Sequence, residues 1–217
     1  MRHQPHLYVP GPWTPGVLTT SPDHLQHLDR VLRYPVGDPI SYTDGAGTIG
    51  HGAWTGLGVT RDDEATVGTV SPDLTMAVAP PKSKERQRFI VEKLQEMSVR
   101  KLVWITTERG QAKVPRLDRT RPWAISALEQ SRGAWLMQID AAEFSQLSNP
   151  FVADVGGMPL ASGGRWIGQV TIAVGPEGGF TDAEMTMFSN RVALGSGVLR
   201  IETAAISLAA VVLFGAG

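Results

Sequence analysis

The 217-residue chain carries 20 Lys+Arg against 21 Asp+Glu, a formal net charge of −1, with 42% hydrophobic and 19% charged residues. That balance is ordinary for a folded protein and excludes a disordered polyelectrolyte, and the length supports one large core or two small ones. The absence of cysteine excludes disulfides, thiolate zinc sites and a cysteine nucleophile.

Residues 1–13 lack the apolar core of a signal peptide. The apolar run Ala204–Gly217 is too short to span a bilayer comfortably. A helix that is apolar on all sides is expected between layers or at a subunit interface, and the expected location is cytoplasmic. Charge is unevenly spread. Residues 1–73 hold four Lys/Arg and eight Asp/Glu, whereas residues 82–132 hold thirteen and six. The basic band suits sequence-independent contacts to nucleic-acid phosphates, and it equally suits solvated helix faces.

In chain order, Leu7–Val9 and Val17-Leu18 read as short strands. Ser21-Pro22-Asp23 starts a helix, with a capping side chain and Pro at the first helical position, and Leu25, Leu28 and Leu32 share one face of a helix to about Arg33. Ile40–Tyr42 and Ile49–Trp54 flank the turn Asp44-Gly45-Ala46-Gly47, a hairpin signal. The pattern predicts a compact barrel ending near Ser71-Pro72-Asp73, giving a first domain over 1–73 and a second over 74–217.

The second segment alternates. Strands are predicted at Leu74–Val78, Lys101–Thr106, Ala134–Ile139, Phe151–Asp154, Val170–Val174 and Arg191–Leu194. Helices are predicted at Lys84–Met97, Arg121–Ser131, Ala141–Leu147, Asp182–Phe188 and Ile201–Phe214. Such alternation implies a mostly parallel α/β sheet covered on both faces. Thr181-Asp182-Ala183-Glu184 is a capping box, fixing a helix start directly after a glycine loop.

Two loops stand out. Val174-Gly175-Pro176-Glu177-Gly178-Gly179-Phe180 leaves one strand, and Leu194-Gly195-Ser196-Gly197-Val198-Leu199-Arg200 leaves another and opens the last helix. Glycines let backbone approach a ligand, and amides at a helix start favour an anion or a polar edge. Neither loop has dinucleotide or Gly-Lys-Ser/Thr spacing. Read alone, the first is also an ordinary strand–turn–helix connection.

Together, Val174–Glu184 and Leu194–Ala204 resemble the paired loops of the SPOUT methyltransferases, most closely the RsmE type that methylates N3 of a uridine in bacterial 16S ribosomal RNA. That family's loops read approximately I/V-G-P-E-G-G-F-[ST]-x-x-E and L-G-x-x-[IV]-L-R-x-E-T-A. Weaker likeness runs through Lys82–Arg86, Glu92–Val99, Thr107–Arg109 and Glu129–Ser131, and through His24–Leu28, Val31–Arg33 and Val36–Asp38.

The resemblance implies a PUA-like β-barrel for RNA followed by a SPOUT domain with a C-terminal trefoil knot. It also implies S-adenosylmethionine held between the knot loops, a homodimer, and 16S ribosomal RNA or the small subunit as partner. Carried over, Gly175, Glu177, Gly178 and Gly179 form one wall of the cofactor site, Leu194, Gly195, Leu199 and Arg200 the other, and the turn near Asp154–Gly157 a third. Uridine N3 is a weak nucleophile while protonated, so charge stabilisation or proton removal is needed. An arginine is always charged. Arg200 is therefore the expected catalytic cation or base-positioning group, with Glu202 orienting it or assisting proton removal. A structural ion pair of Arg200 with Glu202 or Glu177 is the alternative. Arg33, Lys82, Lys84, Arg86, Arg109 and Arg132 are the expected RNA contacts.

The chain departs from the family at Glu129-Gln130-Ser131-Arg132-Gly133, where the family reads E-Q-S-G-R, and at Met97-Ser98, where it has Leu-Gly. The first segment is acidic for an RNA-gripping barrel. His24 and His27 share a helical face, but two ligands do not make a metal site, and no metal is expected. Trp54, Trp104 and Trp123 are expected in the core rather than against bases. Other readings stay open at this point. One is a SPOUT enzyme or binding module for another RNA, and another is a phosphate- or nucleotide-binding α/β protein.

Overall fold

The computed structural model describes residues 4–160 and 165–215. The first residues of the leader reading and the last two of the apolar C-terminal run lie outside them. Two compact units emerge: the chain up to Thr69 with Leu128–Leu136, and Val70–Ala127 with Met137 onward.

In the first unit, β1 (His6–Tyr8), β3 (Pro39–Thr43), β4 (Thr48–Ala53) and β6 (Asp63–Thr66) form a sheet in the order β1-β3-β4-β6, and β2 (Leu18–Thr19) pairs with β5 (Gly58–Val59). The predicted hairpin is β3–β4, and the Asp44 carboxylate closes it by accepting from the amides of Ala46 and Thr48 at 2.7 and 2.9 Å. The predicted helix is real but short. Ser21 caps α1 (Pro22–Gln26), and the chain continues as a wider π-type turn over His27–Val31. Leu7, Leu18, Leu28, Ile40, Tyr42, Trp54 and Val59 make the core. Residues 128–136 complete this unit from within. Glu129 accepts from the Tyr8 amide (2.8 Å) and lies 2.7 Å from His24 Nε2, and the Trp135 indole donates to the Val67 carbonyl at 3.0 Å.

The second unit is a six-stranded, wholly parallel sheet in the order β12-β10-β11-β7-β8-β9. Its strands are β7 (Asp73–Val78), β8 (Lys101–Thr106), β9 (Gln138–Glu143), β10 (Phe151–Pro159), β11 (Gln169–Val174) and β12 (Arg191–Ala193). The helices are α2 (Lys84–Glu96), α3 (Leu117–Ser131, belonging to this unit up to Ala127), α4 (Asp182–Met187) and α5 (Ile201–Phe214). Leu74, Met76, Ala77, Val78, Ile172 and Ala173 are fully enclosed, as central parallel strands require. The predicted parallel α/β fold is therefore observed, and α5 packs on β7, β11 and α2.

Two expected elements shift. Ala134–Ile139 is not the strand. Leu136 instead gives its amide to the Gly45 carbonyl (2.9 Å), and the strand begins at Gln138 beside Lys101. That uses up Ala141–Glu143 as strand, so the predicted helix there shrinks to a single 3₁₀ turn at Phe144–Gln146.

Both departures from the family pattern fall at helix ends. Ser98 has φ 61° after α2, and Arg132 has φ 54° after α3. Each helix closes with the pair of reversed bonds of a left-handed cap: Ser98 N to Gln95 O and Val99 N to Leu94 O, then Arg132 N to Glu129 O and Gly133 N to Leu128 O. The family's glycine stands where these bulkier residues now occupy left-handed backbone.

Candidate active site at the carboxyl edge of the parallel sheet

Because β10, β11 and β12 are parallel neighbours, the loops after β11 and β12 leave the same edge of the sheet. Two strand spacings separate them, about 10 Å. Strands β8 and β9 run outward from β7 on one side, and β11 and β10 lie on the other, so β7 and β11 flank the topological switch point. Ligands of open α/β sheets bind there, outside the carboxyl ends of the strands.

The first loop is tightly specified. The Phe180 ring covers Gly175 so closely that a β-carbon there would sit 2.8 Å from it, and Phe180 stacks on Phe144 at 4.4 Å. Gly179 adopts φ 67°, and its amide donates to the Pro176 carbonyl at 2.8 Å. The capping box forms as expected: Thr181 Oγ1 accepts from the Glu184 amide, and Glu184 Oε2 accepts from the Thr181 amide at 2.8 Å. The sequence did not disclose a second duty. Glu184 is buried, and its Oε1 accepts from the Glu108 amide at 2.9 Å, joining the end of β8 to this loop. Arg109 follows suit, with Nη1 donating to the carbonyls of Gly178 (3.2 Å) and Phe180 (3.1 Å).

The second loop is open. Positions where β-carbons of Gly195 and Gly197 would lie meet nothing within 4 Å. Leu194, Val198 and Leu199 are exposed, Val198 to 87%. Arg200 is the N-cap residue of α5 and exposed, and it makes no ion pair among the described residues. The alternative of an Arg200–Glu202 pair is not what forms. Glu202, in the first turn of α5, faces Arg86 on the first turn of α2 at 3.5 Å, and its Oε2 is buried with no hydrogen-bond partner among the described residues. Asp154 lies 3.8 Å from Arg191, and Gly157 packs against the Val192 backbone, so Asp154–Gly157 belongs to β10, between the two loops in the sheet.

The expected RNA residues divide. Lys82, Lys84 and Arg33 are exposed. Arg86 faces Glu202, Arg109 braces the first loop, and Arg132 donates to the Gln4 carbonyl at 2.8 Å. His24 pairs with Glu129 rather than with His27. Trp54 and Trp104 are core residues.

The sequence profile of the RNA methyltransferase domain matches residues 69–213. The chain belongs to the RNA methyltransferase domain family. The likeness read from the glycine loops is thereby borne out. Proteins named "Ribosomal RNA small subunit methyltransferase E" are similar to it. The one from Rickettsia conorii is 27% identical over 208 residues, covering 86% of this chain and 85% of the relative. The one from Synechocystis is 28% identical over 221 residues, covering 87% and 70%. The fold is shared with the crystal structure of a ribosomal RNA small subunit methyltransferase E from Neisseria gonorrhoeae bound to S-adenosyl methionine, with TM-score 0.83, 24% identity and coverage of 96% and 97%. No helix among the described residues is long and apolar enough to cross a membrane, and none of their side-chain groups has three or more candidate metal ligands.

Proposed function

We propose that this chain is an S-adenosylmethionine-dependent methyltransferase acting on N3 of a specific uridine in 16S ribosomal RNA of the small subunit. The observation that carries this reading is the pair of glycine loops at one sheet edge. One is braced, and the other leaves side-chain-free space at Gly195 and Gly197 beside exposed Leu194, Val198 and Leu199. Such a cradle, apolar with a few polar groups, fits a cofactor with an adenosine and a methionine-derived sulfonium chain. Gly175, Glu177, Gly178 and Gly179 would hold it from one side and Leu194, Gly195, Leu199 and Arg200 from the other, with Asp154–Gly157 behind. When bound, S-adenosylmethionine supplies an electrophilic methyl group.

The chain's own residues prepare the nucleophile. Arg200, exposed at the start of α5 and making no ion pair among the described residues, stabilises negative charge on the O–C–N edge of the uracil. Glu202 assists removal of the N3 proton, with Arg86 facing its Oε1 at 3.5 Å. Lys82, Lys84 and Arg33 serve RNA phosphates. Arg86 and Arg109 of the second unit, and Arg132 of the first, add charge from positions already tied to protein groups.

The same reading makes residues 1–73 a PUA-like RNA-binding barrel and residues 74–217 a SPOUT domain with a trefoil knot. It makes the working form a cytoplasmic homodimer. The test is methyl transfer from radiolabelled S-adenosylmethionine to assembled small subunits and to naked 16S RNA, followed by nucleoside analysis. Label in 3-methyluridine from either substrate supports the proposal. Label in another nucleoside moves the target, and no transfer to either RNA overturns the proposal.

A further inference from the structure

Arg109 belongs to the basic band and is exposed, yet its guanidinium is tied to the chain's own backbone. Three consecutive peptide units of the first glycine loop show what it does there. In the unit joining Gly178 to Gly179, the carbonyl accepts from Arg109 and the amide donates to Pro176 O. In the unit joining Phe180 to Thr181, the carbonyl again accepts from Arg109 and the amide donates to Glu184 Oε2. Both are locked at both ends. Between them lies the Gly179 carbonyl with the Phe180 amide, for which no protein hydrogen bond forms among the described residues.

A peptide plane is rigid, so holding its two neighbours fixes the α-carbons at both its ends and leaves it only rotation about the line between them. Gly179 sits at φ 67° with no described atom within 4 Å of where a β-carbon would lie, while Phe180 is buried against Phe144. What ties together the peptides on either side is one charge-assisted donor on two carbonyls. We infer that Arg109 is a positioning residue for the methyl donor, orienting the Gly179–Phe180 peptide so that its free carbonyl and amide face the bound cofactor. This deepens the proposed function and rests on the cofactor reading of the loops.

The test uses the full chain and S-adenosylmethionine, comparing Arg109→Ala and Arg109→Lys with the unsubstituted protein by calorimetry and steady-state methylation. Arg109→Ala is expected to raise the Kd and KM for S-adenosylmethionine roughly tenfold. Any rise in the RNA KM should be smaller than the rise in the cofactor Kd, and amide exchange across residues 175–181 should accelerate. Arg109→Lys, which keeps one donor head, should recover part of the affinity, and it serves as the probe if the alanine variant does not fold. A rise in RNA KM with unchanged cofactor Kd would make Arg109 a phosphate contact and overturn the inference. Equal cofactor affinity in all three proteins also overturns it while leaving the cofactor site standing. No binding by the unsubstituted protein removes the site itself and the inference with it.

Discussion

Arg86 and Glu202 face each other at 3.5 Å from the first turns of α2 and α5, and the second Glu202 oxygen is buried without a donor among the described residues. A buried acceptor without a partner is a standing cost to the fold, and such costs collect where function needs them. Glu202→Gln should therefore leave stability unchanged or raise it by about 1 kcal/mol, while lowering turnover roughly 100-fold. Thermal melts and single-turnover methylation of the same preparation check both halves. Full activity in Glu202→Gln would assign the carboxylate to structure.

Arg200 makes no ion pair among the described residues, so its replacement has little folding energy to lose. Arg200→Lys keeps the charge but not the planar fork. It should bind S-adenosylmethionine as before and lose turnover by about 100-fold. Unchanged methylation would remove Arg200 from the chemistry.

Gly195 separates space needed by the fold from space needed by a ligand. A β-carbon there meets no atom of the described residues within 4 Å, and its backbone does not lie in the left-handed region. Gly195→Val should shift the melting temperature by no more than about 2 °C, yet weaken S-adenosylmethionine binding at least roughly tenfold. Undiminished binding would place the cofactor elsewhere.

Ser98 holds φ 61° at the left-handed cap of α2, flanked by buried Leu94 and Val99. Glycine adopts that conformation without a β-carbon penalty. Ser98→Gly should stabilise the protein by about 1 kcal/mol, read as a higher urea midpoint with an unchanged slope. A lower midpoint would show that the serine side chain contributes more than the strain it carries.

His6 supplies a pH dependence. Burial pulls its imidazole below the ordinary 6.5, outweighing the opposing hydrogen bond to Gly133 and the charge of Glu129. Nε2 lies 3.2 Å from the Gly133 carbonyl and Nδ1 2.8 Å from Ser41 Oγ, an arrangement the neutral ring satisfies. A depressed histidine is protonated more readily in the unfolded chain. Its contribution is thus full above 6.5 and is lost as pH falls from there through the folded value. Urea midpoints between about pH 7.5 and 5 should decline, and less steeply in His6→Gln. Equal slopes in the two proteins would remove His6 as the cause.

The parallel sheet was legible because strand and helix periods alternate from Leu74 onward, and the capping box at Thr181–Glu184 marked a true helix start. Strand β6 escaped notice because Asp63-Glu64-Ala65-Thr66 is exposed throughout and has no apolar alternation to read. Strand β10 continues through Gly156-Gly157 to Pro159, residues that read as a turn. The two loops of the candidate site were visible from their glycines. Which arginine serves which partner was not, since Arg86 meets Glu202 and Arg109 meets Gly178 only through tertiary packing across more than 60 positions.

The inclusion of residues 128–136 in the first unit bears on how the chain is made. The Gly133 and Ala134 carbonyls that receive His6 and Thr43, and the Glu129 carboxylate that receives the Tyr8 amide, are synthesised after the whole of residues 70–127. At about 5–20 residues per second, the earliest strands wait on the order of seconds for partners still inside the ribosome. The amino-terminal sheet is thus the first part begun and not the first part finished.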